Sequence, residues 1–275
     1  MSEYVKRVDS EQIRKQLTER GNQNMILLDI RQDWEYEEEH LPGALHIPLP
    51  ELTQRLDELP LHRPIVVYCR SGARSAAAAT LLKAQDFEDV SNMTGGMNSW
   101  LGISAVGPSS AGLAVFTPDA TEAEIITVAC RMEEQLSRFY SQLAKENTDA
   151  ELVGTLTRLA SFEQKHKSWL LITYRQLMGH ELDLNLLTES IPPTEALEGG
   201  LTAEEFIEYN RPALSDSLSI IETGMMFETQ ALDLYLRCSK RPPRQESKML
   251  FYKLAEEEKR HLKALATLMD KMQHS

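Results

Sequence analysis

The chain has 275 residues, 42% of them hydrophobic and 26% charged, with a formal net charge of −13. That length accommodates one or two domains, each with its own core, and the acidic balance argues against non-specific binding to nucleic acid or anionic membranes. No apolar run approaches the roughly 20 residues that span a bilayer. The opening MSEYVKRVDSEQ has no apolar stretch of the kind a secretory leader needs. Three widely spaced cysteines, Cys69, Cys130 and Cys238, include no Cys-x-x-Cys pair. They suit a reducing cytoplasm, the expected location, better than a disulfide framework or a zinc ribbon.

The first hundred residues alternate strand and helix signals. Met25 to Ile30 and Pro64 to Cys69 are short apolar runs rich in branched side chains, as buried parallel strands require. Ser75 to Gln85 reads as a helix, and Gly95 and Gly96 punctuate the end of the next strand. The alternation predicts an α/β domain with a mostly parallel sheet. Residues 103–120, rich in Gly, Pro, Ser and Ala, read as a linker between a domain at 1–102 and another at 121–275.

Beyond the linker the pattern is helical. Thr121 and Glu124 form a capping box for a helix to about Asn147. Thr148 or Asp149 caps a second helix, which ends near Gly179. A third runs from about Ala213 to Ser239, and a fourth follows Pro242 and Pro243 to about Gln273. The long connection between the second and third predicts a four-helix bundle with one crossover.

Two constellations carry chemistry. Cys69, Arg70, Ser71, Gly72, Ala73 and Arg74, followed by Ser75, lie between a buried strand and a helix start. There the helix dipole and unpaired amides favour an anion and a thiolate. In the helical half, Glu133, Tyr140, Glu163 and His166 are matched 95 residues on by Glu228, Tyr235, Glu258 and His261. Each Glu-x-x-His pair lies on one helix face, so four Glu and two His converge from four helices on a site for two metal ions. Glu134, Glu256 and Glu257 break the 95-residue match, falling opposite Thr229, Ser161 and Phe162; they are expected outside the site, with Glu134 facing solvent. Carboxylate oxygen with imidazole nitrogen suits iron or manganese. Tyr140 and Tyr235 are candidates either for hydrogen bonds to ligand carboxylates or for plain core packing.

The cysteine loop resembles the active-site loop of the single-domain rhodanese family, sulfurtransferases that carry sulfur as a cysteine persulfide. Further similarity lies in Asp29 and Arg31, in Glu35, in HLPGALHIP from His40 to Pro48, and in TGGMNSW from Thr94 to Trp100. Glu39 stands where the family usually has glycine. The resemblance implies Cys69 to Arg74 as the catalytic loop, and thiosulfate, persulfides and thiols as substrates. The Cys69-x4-Arg74 spacing, one residue shorter than a related phosphatase loop, favours sulfur over phosphate.

The helical half resembles the ferritin-like superfamily, and within it rubrerythrin. The resemblance implies two iron ions (with manganese or zinc able to substitute), activity on peroxide or dioxygen, and pairing into a homodimer through the helical domain. Two features depart from that pattern. No cysteine-ligated rubredoxin module is present, so an external electron donor is implied, and Ala231 stands where rubrerythrin has a further carboxylate. Leu182, Leu184, Leu186, Leu187 and Leu197 give the connection at 180–212 apolar surface to bury against a partner. The overall expectation is a sulfurtransferase joined to a di-iron oxidoreductase bundle. The alternative is an iron-binding or redox-sensing protein in which the first domain is a persulfide carrier and the bundle serves mainly for dimerisation.

Overall fold

The computed structural model describes residues 5–20, 25–183 and 216–273. It divides into two compact units, Met1–Ser110 and Ala111–Ser275. Among the described residues no helix is long and apolar enough to cross a membrane.

The first unit is built on a five-stranded, all-parallel sheet in the order β1-β5-β4-β2-β3. The strands are β1 (Lys6–Asp9), β2 (Ile26–Asp29), β3 (Leu45–His46), β4 (Ile65–Tyr68) and β5 (Val90–Thr94). Helices α1 (Ser10–Arg20), α2 (Asp33–Glu38) and α3 (Ala73–Ala84) connect them. All residues of β2 and β4 are buried, which explains their unbroken apolar sequences: a central parallel strand is covered on both faces. Alternate residues enter different cores, as the two-residue period of a strand dictates. Leu28 and Val67 pack with Ala78, Ala79 and Leu82, whereas Leu27, Val66 and Tyr68 pack with Ile13, Tyr36 and Met93. Each such side chain contributes about 1.5–3 kcal/mol when fully buried.

Helix α3 begins two residues earlier than its composition suggests, at Ala73 rather than Ser75. Gly72 makes this start feasible by adopting φ 92°, where a side chain would be strained. The alanine run that follows favours helix at almost every position.

At the C-terminal end of β2, Asp29 receives Arg31 Nε at 3.0 Å, Arg31 Nη2 at 2.6 Å and the Arg31 amide at 2.9 Å. Arg31 Nη2 also donates to the Glu39 carbonyl at 2.6 Å. This buried pair anchors the segment that carries α2.

The second unit contains α4 (Glu122–Glu146), α5 (Ala150–Met178), α6 (Ser217–Cys238) and α7 (Gln245–Gln273). Starts of α4 and α6, and both ends of α5 and α7, are offset by the same 95 residues that separate the sequence motifs. Thr121 caps α4 through a capping box, Asp149 caps α5, and Asp216 caps α6. Gly179 ends α5 at φ 76°. The expected onset of the third helix at Ala213, and the connection through Leu184, Leu186, Leu187 and Leu197, lie outside the described residues.

The stretch 103–120 is tied down within each unit. The Ala105 amide donates to His40 O and the Gly107 amide to Glu37 O in the first. In the second, Arg237 Nη1 donates to Ala111 O and Arg241 Nη1 to Leu113 O and Phe116 O. Phe116 is buried in the bundle core edge-on to Phe251.

Replacing Asp29 by Ala leaves the Arg31 guanidinium buried and uncompensated, at a cost of about 3–5 kcal/mol. The urea midpoint for unfolding the first unit, followed by tyrosine and tryptophan fluorescence, is expected to fall accordingly.

Candidate active sites

Cys69 follows β4, at the end of the sheet where parallel α/β folds hold ligands. The Gly72 amide donates to its sulfur at 3.1 Å, and the Ser75 hydroxyl lies 3.4 Å away. Burial works against the thiolate. The Ser75 hydroxyl and the amides of Ser75, Ser71 and Gly72 outweigh it and hold Cys69 below the ordinary thiol range. Cys130 and Cys238, buried in the bundle, are pushed up to about 12 and about 11, respectively, chiefly by desolvation.

The closing motif Thr94 to Trp100 shapes the loop from behind. The Met97 amide donates to Cys69 O and the Asn98 amide to Arg70 O, both at 2.9 Å. Carbonyls held backwards leave the amides of Ser71, Gly72 and Ser75 to face the sulfur. The approach is close: a β-carbon on Gly96 would sit 2.1 Å from Cys69 O.

Arg74 differs from a side chain waiting at the rim for an anion. Its guanidinium makes a bidentate pair with Glu35 of α2, Nη1 to Oε2 at 2.7 Å and Nη2 to Oε1 at 2.6 Å. It still lies against the Cys69 sulfur. Its charge therefore reaches the thiolate from a fixed position, and Glu35, with Arg74's hydrogen bonds as the main cause, is held below the usual carboxylate range. Arg70 is exposed and lines a cavity of about 270 Å³ with Arg31, Glu35, Glu38, Glu39, Met97 and Asn98. Ser75 and Asn92 are polar, buried and bonded to the cradle. Asn92 is 23 residues from Cys69 in sequence, and nothing local marks it as part of the site.

In the bundle, Glu133, Glu163, Glu228 and Glu258 are each 2% exposed, near the middle of α4, α5, α6 and α7. His166 Nδ1 lies 3.0 Å from Glu163 Oε2 and 3.4 Å from Glu133 Oε2. Its counterpart His261 Nδ1 lies 2.9 Å from Glu258 Oε2 and 3.2 Å from Glu228 Oε2. The two imidazoles stack face to face, 3.1 Å between centroids. The internal repeat is thus a geometric near-symmetry, and all six predicted side chains come together.

The donor set fits metal ions. Two triplets, Glu133–Glu163–His166 and His166–Glu228–His261, bring one ligand atom each within 4.8 Å of one another. Glu163 Oε2 and His166 Nδ1 are buried and, although close, make no hydrogen bond. Buried ligand atoms gathered this closely without a hydrogen bond between them suit a cation. Without one, protons take its place: burial pushes Glu228 well above the carboxylate range, and the surrounding carboxylates, Glu258 foremost among them, overcome desolvation to raise His261 to about 10.

Glu134 lies outside this cluster but is not simply solvated. It binds Lys167 at 2.7 Å, Arg138 at 2.9 Å and Gln164 at 3.3 Å, bridging α4 and α5. Tyr140 and Tyr235 are buried. Tyr140 stands edge-on to Phe227, and Tyr235 packs with Phe116 and Phe251. Gly224 makes room for the Tyr140 hydroxyl, which would lie 3.3 Å from a β-carbon there.

Comparison with known proteins matches residues 124–269 to the family described as rubrerythrin and residues 10–102 to the rhodanese-like domain. The chain belongs to the rubrerythrin family and carries a rhodanese-like domain ahead of the bundle. The rhodanese-like part is 42% identical over 82 residues to a protein of Bacillus subtilis (strain 168) named putative sulfur carrier protein YrkF, covering 30% of this chain and 44% of that relative's length. It is 36% identical over 96 residues to a sulfurtransferase of Allochromatium vinosum, covering 35% of this chain and 88% of the relative. A crystal structure of a rhodanese-like domain protein from Staphylococcus aureus aligns at 26% identity with a TM-score of 0.33, covering 35% of this chain and 91% of that one. The rhodanese-like domain and the relatives named as sulfurtransferases support a sulfurtransferase in the N-terminal part, and the rubrerythrin domain implies a di-iron site.

Thiolate reactivity is expected to separate the three cysteines. At neutral pH iodoacetamide is expected to modify Cys69 at least about tenfold faster than Cys130 or Cys238, as read by peptide mass spectrometry. Because the Cys69 value is depressed, its rate is expected to fall, as pH drops, at a lower pH than that of an ordinary thiol.

Proposed function

We propose that this protein moves sulfane sulfur through a persulfide on Cys69 and that its bundle binds two iron ions for an oxidoreduction of peroxide, dioxygen or a sulfur species. The observation that carries the first half is the Cys69 sulfur held by the Gly72 amide at 3.1 Å in a loop that opens α3. The thiolate attacks the outer sulfur of a donor such as thiosulfate. An S–S bond to Cys69 forms, the donor's own S–S bond breaks, and sulfite leaves with the electron pair. An acceptor thiolate then bonds to the carried sulfur and returns the electron pair to Cys69. Loop amides and the nearby Arg74 offset negative charge throughout.

For the second half, Glu133, Glu163 and His166 would hold one ion, and Glu228, Glu258 and His261 the other. Bound iron supplies electron transfer to an oxidant, with reducing equivalents from an external donor. The protein's own part is to bury the carboxylates among apolar residues and to hold each imidazole against two of them. Ala231 leaves α6 without a further carboxylate one turn after Glu228, so the ligand set keeps its near-symmetry.

A carrier role is a second reading. It draws on the name of the Bacillus relative, and in it the persulfide is handed to a protein rather than to a small thiol. A homodimer formed through the helical unit, in the cytoplasm, belongs to the same proposal.

Cys69→Ser is expected to abolish sulfur transfer from thiosulfate to cyanide; a variant keeping most of that activity would count against the persulfide. Elemental analysis is expected to find most iron lost in Glu163→Ala and Glu258→Ala but retained in Glu134→Ala. Stripping metal with a chelator is expected to lower the Tm of the wild type, because bound metal stabilises the folded state by mass action. Light scattering of the full chain at micromolar concentration is expected to give twice the monomer mass, and a monomeric mass would remove the dimer from the proposal.

A further inference from the structure

One hydroxyl proton at the Cys69 site has two acceptors. Ser75 Oγ lies 2.6 Å from Asn92 Oδ1 and 3.4 Å from Cys69 Sγ, and a hydroxyl donates one proton at a time. The Asn92 amide has a settled orientation. Its Nδ2 donates to the Gly72 carbonyl at 3.1 Å, an oxygen that can only accept, so Oδ1 must face Ser75. Ser75 and Asn92 are 0% and 4% exposed; bulk solvent is not an alternative partner for either. The charged groups around the thiol are Arg74, fixed by Glu35 of α2, and Arg70 next in sequence. Asp29, the last residue of β2, and Arg31 just beyond it are committed to each other. β5 contributes only uncharged residues, and its contribution to the cradle is the Asn92 amide.

We propose that Asn92 is a positioning residue of the sulfur cycle: it holds the Ser75 proton while Cys69 is covalently loaded and yields it while Cys69 is a thiolate. The proposal rests on Cys69 being the sulfur carrier. On loading, the Sγ–S bond forms, the donor's S–S bond breaks and its electron pair departs with the leaving group. Sγ is then no longer anionic, and the hydroxyl returns to Asn92. On unloading, the acceptor thiolate bonds to the outer sulfur, the S–S bond to Cys69 breaks, and the electron pair returns to Sγ. The Ser75 hydroxyl then turns to join the Gly72 amide in stabilising the leaving thiolate. Turning leaves Asn92 Oδ1 buried without its short hydrogen bond, which is unfavourable. Asn92 therefore sets how far Ser75 can favour the thiolate, acting through Ser75.

The test is the pH dependence of Cys69 alkylation by iodoacetamide in the full-length protein. Asn92→Ala removes the competing acceptor, so the midpoint is expected to fall by about one pH unit. Ser75→Ala is expected to raise it, and adding Asn92→Ala to Ser75→Ala is expected to shift it no further. Asn92→Leu, closer to asparagine in shape, is expected to give the same fall and serves should the alanine variant not fold. An unchanged or raised midpoint in folded Asn92→Ala or Asn92→Leu protein, or an equal shift with and without Ser75, would overturn the relay. Transfer from thiosulfate to cyanide by the wild type is measured alongside. A wild type that transfers no sulfur overturns the carrier role and the cycle with it, whereas transfer with unmoved midpoints overturns the relay alone.

Discussion

Four buried carboxylates and two partly buried imidazoles in the middle of a helical bundle must have their charge compensated. Unpaired, each buried carboxylate would be strongly unfavourable, and the four would also repel one another. Protons partly answer the problem, as the raised Glu228 and His261 values indicate, but two cations answer it completely. Much of the second unit follows from that requirement. The four helices present these side chains near mid-length, and the caps at Thr121, Asp149 and Asp216 fix where α4, α5 and α6 begin. The 95-residue match keeps the two halves nearly equivalent, with His–Glu distances agreeing within about 0.2 Å between them.

The sulfur site meets a related problem with different means. A single thiolate at the end of a parallel sheet needs donors, and the loop supplies backbone amides. Amides serve only if their carbonyls are engaged elsewhere, which is the work of Met97, Asn98 and Asn92. Arg74 adds a full charge, and Glu35 fixes its position. The same residue types on a free loop would not depress a thiol, because flexible amides would turn towards water.

Both sites place polar atoms where the fold prevents their relaxation. In the bundle, apolar packing around Tyr140, Phe227, Tyr235 and Phe251 encloses the ligand helices. In the sheet, Gly72 and Gly96 allow approaches that a β-carbon would block. Function in each unit draws on rigidity that a local sequence element could not provide alone.

The sequence by itself determined the class of each unit, and it singled out Cys69 and the six Glu and His side chains that the bundle brings together, whose roles as nucleophile and metal ligands belong to the proposal. Helical spacing and an exact internal repeat are one-dimensional signals that survive translation into space. The repeat also separated Glu133 from Glu134, whose contacts with Lys167 and Arg138 lie on another helix face. What only the tertiary structure decided were the partners across elements: Glu35 holding Arg74, Asn92 holding Ser75, and the closing motif pinning the loop. It also showed that much of the small-residue stretch before the bundle is bound by Arg237 and Arg241. These pairings join residues up to 128 positions apart. Composition cannot anticipate them, because whether a polar side chain meets water or a distant partner depends on which strands and helices pack together.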